Sequence, residues 1–141
     1  PSAMELNVFE GEEITALQKD GDLTMVVGSS EGTLKLFDLR FPTPYMIKQH
    51  PYMVPINEIV FHQKAEKMIV SDEKSIRIYD KQTGNLFTAV ESKFKINGVK
   101  TYQDSGLLLV AQEARRIGKP SLCRNTFHSD YGASSQMVFI H

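Results

Sequence analysis

Two segments of this chain return after an interval of about forty residues. Ile56-Asn57-Glu58-Ile59-Val60-Phe61 comes back as Ile96-Asn97-Gly98-Val99-Lys100-Thr101 at an offset of 40, and Leu34-Lys35-Leu36-Phe37-Asp38 comes back as Ile76-Arg77-Ile78-Tyr79-Asp80 at an offset of 42. Each interval holds several short runs of alternating or continuous apolar character, broken by Gly, Asp, Asn and Pro. One four-stranded sheet cannot bury both its faces alone, so repeated units of this length stack on one another. The pattern therefore predicts an all-β, antiparallel propeller segment of two to three blades.

The strands follow from the punctuation. In the first unit Ile14 to Leu17 alternates, Asp20-Gly21 offers a residue tolerant of positive φ, and Thr24 to Gly28 is an apolar run suited to a strand covered on both faces. Leu34 to Leu39 gives a third strand, and Tyr45 to Lys48 an outer fourth, where Pro42 and Pro44 nearby are tolerated at an edge. The second unit repeats the plan with Ile56 to His62, Lys67 to Ser71, Ser75 to Asp80 and Leu86 to Val90. The third supplies Ile96 to Tyr102 and Leu107 to Ala111, and then the repeat breaks down. Residues 115 to 120, where a third strand falls due, have no apolar face, and only Met137-Val138-Phe139-Ile140 reads as a strand beyond them.

This organisation divides the chain into a lead-in (1–12, with Pro1 to Met4 read as an N-terminal scar), propeller blades (13–113, as about 13–50, 56–90 and a partial 96–113) and a basic divergent tail (114–141). A closed ring needs at least about four blades of roughly 40 to 45 residues, more than 141 residues supply. The expectation is a piece of a propeller whose missing blades come from elsewhere or from self-association.

Charge separates body from tail. Residues 1–113 hold 12 Lys/Arg against 16 Asp/Glu, whereas 114–141 hold four Lys/Arg against Asp130 alone. With a net charge of −1 the whole chain has no global pull toward polyanions. Cys123 is the single cysteine, which excludes an intramolecular disulfide and suits a reducing compartment. No run approaches the ~18 apolar residues of a membrane-spanning helix.

Phe37-Asp38-Leu39-Arg40 and Tyr79-Asp80-Lys81, an aromatic then Asp then a basic residue closing the third strand, resemble the WD-repeat family, although Trp and the Gly-His dipeptide are absent. Ile14 to Leu17, Leu23 to Gly28, Phe37 to Arg40, Lys48-Gln49-His50, Val54-Pro55-Ile56 and Ser105 to Leu109 stand in the order and spacing of one divergent branch. Over residues 13–113 the chain resembles the propeller of the nucleolar protein 10 family, called the essential nuclear protein 2 family in yeast. The resemblance implies a nucleolar, non-enzymatic scaffold of the small-subunit processome. Its implied partners are other processome proteins and preribosomal particles, and it implies no catalytic residue.

Several residues invite a chemical reading. Arg115, Arg116, Lys119 and Arg124, with Phe127 and Tyr131 near them, suit RNA phosphates and base stacking and are the candidate RNA or partner contacts. Gly118-Lys119-Pro120-Ser121 resembles the end of a phosphate loop, but Glu113 stands where its first glycine belongs and Pro120 removes an N–H, so no cofactor is assigned. Cys123, His128, Asp130 and His141 are zinc-ligand types without paired spacing, so no metal is assigned, and no strand or helix start activates Cys123 as a nucleophile. His50, His62, Glu58, Asp72 and Asp80 would supply an acid/base pair across a channel, or else cap turns in water, and the second is the expectation for propeller loops.

Overall fold

A computed structural model of the chain describes residues 5–101, 108–115, 126–128 and 133–140, with side chains in the first range and through residue 113. Those residues form three four-stranded antiparallel sheets. The first contains β1 (Ile14–Asp20), β2 (Thr24–Ser29), β3 (Thr33–Asp38) and β4 (Met46–Gln49), laid side by side in that order. The second repeats it with β5 (Ile56–His62), β6 (Lys67–Asp72), β7 (Ser75–Asp80) and β8 (Leu86–Glu91). In the third, β9 (Ile96–Thr101) pairs with β10 (Leu108–Arg115), and the next places go to β12 (Ala133–Ile140) and then β11 (Thr126–His128). The expected all-β propeller segment is thus present. The place left vacant by residues 115–120 is taken by the last strand of the tail.

The repeat is more faithful in register than in sequence. In each sheet the inner strand pairs regularly with its neighbour until one residue is skipped. Ile14 faces Ser29 and Ala16 faces Gly28; Ile56 faces Asp72 and Glu58 faces Ser71; Ile96 faces Gln112 and Gly98 faces Ala111. Thr15, Asn57 and Asn97 are therefore bulged residues at one equivalent position, where the extra residue bends the strand and increases its twist. This explains the recurring Ile-Asn dipeptide. The isoleucine enters the seam between sheets, and the Asn57 side chain leaves the sheet to donate to the Ile96 carbonyl of the next inner strand, at 3.3 Å.

Two apolar clusters hold the sheets together. Val26, Leu34 and Leu36 of the first sheet meet Ile56, Ile59, Met68, Val70 and Tyr79 of the second, with Met46 and Phe61 packed alongside. Ile69 and Ile76, on the other face of the second sheet, meet Ile96, Val99, Leu108 and Val110 of the third. Burying one such side chain contributes about 1.5–3 kcal/mol, which is how alternation in sequence becomes stacking of blades. Packing is close enough at the first seam to require glycine: a Cβ on Gly28 would lie 2.7 Å from Cβ and Cγ2 of Ile56.

Among the described residues no blade packs against the first sheet's other face. Its register row runs Leu17, Val27, Lys35, Ile47. The equivalent row of the second sheet begins with Ile59, which is 5 % exposed, whereas Leu17 is 62 % exposed. The lead-in covers part of this face. Lys35 Nζ donates to the Val8 carbonyl at 2.7 Å and lies 4.8 Å from the Phe9 ring centroid.

Candidate functional site

The second sheet's polar groups gather at its two ends. At the upper end lie the β6–β7 turn and the β4–β5 and β8–β9 connections. At the lower end lie the β5–β6 and β7–β8 turns.

At the upper end His50 and Asp72, 22 residues apart, are both fully buried, and Nδ1 of His50 lies 2.7 Å from Oδ2 of Asp72. An ionised carboxylate only accepts, so Nδ1 carries the proton and donates. The other oxygen, Oδ1, accepts from the backbone N–H groups of Lys74 and Ser75, each at 2.7 Å, and Oδ2 also accepts from the Ser75 hydroxyl at 3.2 Å. Burial alone would raise the Asp72 pKa. The His50 bond and the two backbone donors outweigh it and hold the group below its ordinary value. The expectation of a solvated turn group is corrected here: Asp72 does cap the turn, but dry, and His50 joins it across the seam instead of facing water.

This pair has counterparts in the neighbouring sheets. Asp72 stands opposite Ile56, as Ser29 stands opposite Ile14 and Gln112 opposite Ile96. Ser29 Oγ accepts from the backbone of Glu31 and Thr33 at 3.2 and 3.0 Å, the same cap with a smaller group. His50 N–H bonds the Gly32 carbonyl just as Ser92 N–H bonds the Lys74 carbonyl, which makes Ser92 the counterpart of His50. Gln112 Nε2 donates to Ser92 Oγ at 2.7 Å. Each connection between sheets is therefore tied to the end of the next sheet's second strand.

The lower end is built for the same purpose. Lys81 Nζ lies 2.7 Å from Oδ2 of Asp20 in the first sheet and donates to Gln63 Oε1 at 2.9 Å, while Gln63 Nε2 donates to Asp20 Oδ1 at 2.7 Å. Asp80 Oδ1 accepts from the backbone of Gln82 and Thr83, and its other oxygen pairs with Lys67 Nζ at 3.0 Å. The Thr83 backbone donor, with Lys67 and Gln82, lowers its pKa to about 2. Asp38, its counterpart, is lowered to about 2 chiefly by the Arg40 side chain, which it holds at 2.6 Å. His62 Nδ1 accepts from Ala65 N at 3.0 Å within the β5–β6 turn.

The five residues weighed for acid/base chemistry therefore do not converge. His50 and Asp72 occupy the upper seam, and His62 and Asp80 the lower end of the same sheet. Glu58, expected in a turn or at a strand end, sits within β5, where Oε2 accepts from the Val99 backbone at 2.9 Å and links two inner strands. Among the described residues no three His, Cys, Asp or Glu gather as a metal site would require. Arg115 is the last residue of β10. Arg116, Lys119 and Arg124 lie outside the described residues, as do Gly118, Pro120, Ser121, Cys123, Asp130, Tyr131 and His141; Phe127 and His128 are described in backbone only, within β11.

Four-stranded antiparallel blades stacked face to face, tied by polar seams, define a WD-repeat-like β-propeller module. The comparison with solved structures agrees on the fold: Raptor from Chaetomium thermophilum aligns over 79 % of this chain and 11 % of its own length with a TM-score of 0.71 at 15 % identity. The family model described as nucleolar protein 10-like, N-terminal domain, a β-propeller, matches residues 2–120. The chain belongs to that family. Nucleolar protein 10 of Xenopus laevis is 38 % identical over 104 residues, and that of Homo sapiens 35 % over 105, each match covering 74 % of this chain and 15 % of the relative. The ribosome biogenesis protein ENP2 of Chaetomium thermophilum is 35 % identical over 109 residues, covering 74 % of this chain and 16 % of its own length. The chain thus spans about 15 % of the length of the curated relatives it matches.

Proposed function

We propose that this chain is a non-catalytic scaffold segment acting in small ribosomal subunit maturation in the nucleolus, within the processome assembly. The observation that carries the reading is its membership of the nucleolar protein 10-like family, whose named members include ribosome biogenesis proteins. The geometry supports the non-catalytic part. The His, Asp and Glu groups placed to do chemistry are engaged in caps and seams, so what remains for function is the surface. The mechanism is rigid presentation of turns and connections to processome proteins and preribosomal particles, with further blades meeting the open face at Leu17 and Ile47.

The test is to express the tagged chain in a eukaryotic cell and follow it by microscopy and by sucrose-gradient sedimentation of nucleolar extract. Nucleolar accumulation with co-sedimentation in fractions carrying small-subunit rRNA precursors is the expected result. A diffuse chain confined to the top of the gradient would refute the reading.

A further inference from the structure

The upper end of the second seam carries a basic and aromatic surface that the ties between sheets leave unused. The β8–β9 connection reads Ser92-Lys93-Phe94-Lys95, and with Glu73 and Lys74 of the β6–β7 turn it lines a shallow groove. Lys74, Lys93, Phe94 and Lys95 are all exposed. Among the described residues, no acidic group pairs with Lys93 or Lys95 within ion-pair distance, and Lys74 lies 5.4 Å from the centroid of the Tyr52 ring. Glu73 is the carboxylate among the lining residues, against the three lysines, and Glu91 lies nearby on the Tyr52 hydroxyl.

This connection is fixed in place. Ser92 Oγ accepts from the Phe94 N–H at 3.1 Å, donates to the Phe94 carbonyl at 2.7 Å, and accepts from Gln112 Nε2. Ser92 N–H is bonded to Lys74 O, and Lys95 O to Glu113 N–H, both within 2.9 Å. The Phe94 backbone is therefore fixed and the residue is 38 % exposed, so a partner can meet its ring at a lower ordering cost than on a free loop. β10 brings the backbone of Arg115 to this same end, two residues past the Glu113 contact.

We infer that Lys74, Lys93, Phe94 and Lys95 form a binding site for single-stranded RNA, the lysines meeting successive phosphates and Phe94 stacking on a base. Exposed lysines beside an exposed aromatic ring are the pairing such a strand requires, whereas an acidic peptide would use the cations and leave the ring idle. The choice of RNA among polyanions rests on the proposed role in ribosome maturation.

The test measures binding of a fluorescently labelled oligouridylate to the full chain by anisotropy across a salt series. Lys93→Glu with Lys95→Glu should lower the slope of log affinity against log salt by about 1.4, at ~0.7 for each phosphate of a single strand that is no longer neutralised. Phe94→Ala should weaken binding about tenfold with the slope unchanged, and Lys64→Glu at the lower end should change neither. Circular dichroism of each variant, expected to match the parent, separates impaired binding from impaired folding. Binding that survives the double charge reversal, or a polyglutamate peptide competing as well as RNA while Phe94→Ala has no effect, would overturn the assignment. Co-sedimentation with preribosomal particles by a chain that binds no RNA would sink this inference and leave the scaffold role standing.

Discussion

Replacing Asp72 with alanine should be among the most damaging single changes in the molecule. The carboxylate satisfies the Nδ1–H of His50 and the N–H of Ser75, both buried, and the partly buried N–H of Lys74. An orphaned buried donor costs about 1–3 kcal/mol, and a broken bond at a partly exposed site about 0.5–1.5 kcal/mol. The total is roughly 2.5–7.5 kcal/mol, a large share of the ~5–15 kcal/mol that holds a domain folded. Asp72→Asn isolates one part of the effect. Its Oδ1 can keep both backbone caps, but its NH2 then faces Nδ1 of His50 and forces the ring proton to Nε2, which is buried with no partner among the described residues. The expected cost is about 1–2 kcal/mol. Urea unfolding followed by far-ultraviolet circular dichroism at neutral pH reads both, with the neighbouring Glu73→Ala as a control inside about 0.5 kcal/mol. An Asp72→Ala chain within about 1 kcal/mol of the parent would show that the pair is not a structural tie, and would reopen the reading of His50 as a reactive group.

Gly28→Ala should destabilise the chain by about 1–3 kcal/mol or more, because the new Cβ collides with a fixed branched carbon of Ile56; a neutral melting temperature would mean the seam is looser than described. Ile56→Ala should cost about 2–5 kcal/mol, whereas Ile14→Ala, at the equivalent register position but 56 % exposed, should stay within about 0.5 kcal/mol; equal losses would show that the first sheet's open face is covered in solution. Stability should also fall in acid. Asp38, Asp72 and Asp80 have folded pKa values below the ordinary 3.8, so the unfolded chain takes up their protons first. The contribution of Asp38 and Asp80 is present above about pH 4 and is lost toward about pH 2, and that of Asp72 is lost in the same direction as pH falls below the ordinary carboxylate value; a urea midpoint that does not move on acidification would contradict the assigned partners.

The strands of the first two sheets are legible in the sequence because alternation and turn residues agree at every step, from Asp20-Gly21 through Ile76-Arg77-Ile78. The pairing of His50 with Asp72 is not. Each residue adjoins a turn signal, and sequence alone gives no reason to bring together two polar groups 22 residues apart. A signal is nonetheless present: His50 stands six residues before the isoleucine that opens β5, and Asp72 closes the strand opposite it. The third sheet's completion is equally hidden. Met137 to Ile140 carries a strand pattern, but Ala133-Ser134-Ser135-Gln136, the first half of β12, is small and polar and takes strand form by pairing with Gln112 through Arg115. The basic cluster that composition reveals is Arg115, Arg116, Lys119 and Arg124. The groove at the upper end of the second seam does not show in the sequence, because Lys74 reaches it from another turn.

Among the described residues, the second sheet alone has an apolar cluster against each face, and that asymmetry has a consequence for how the molecule breathes. To expose β6 both seams must part, whereas freeing either neighbouring sheet costs one. In amide hydrogen exchange, Met68 to Ser71 should therefore report global unfolding, while the amides of β1 and β4 open in smaller, cheaper excursions. The last structure to let go is the middle of the chain.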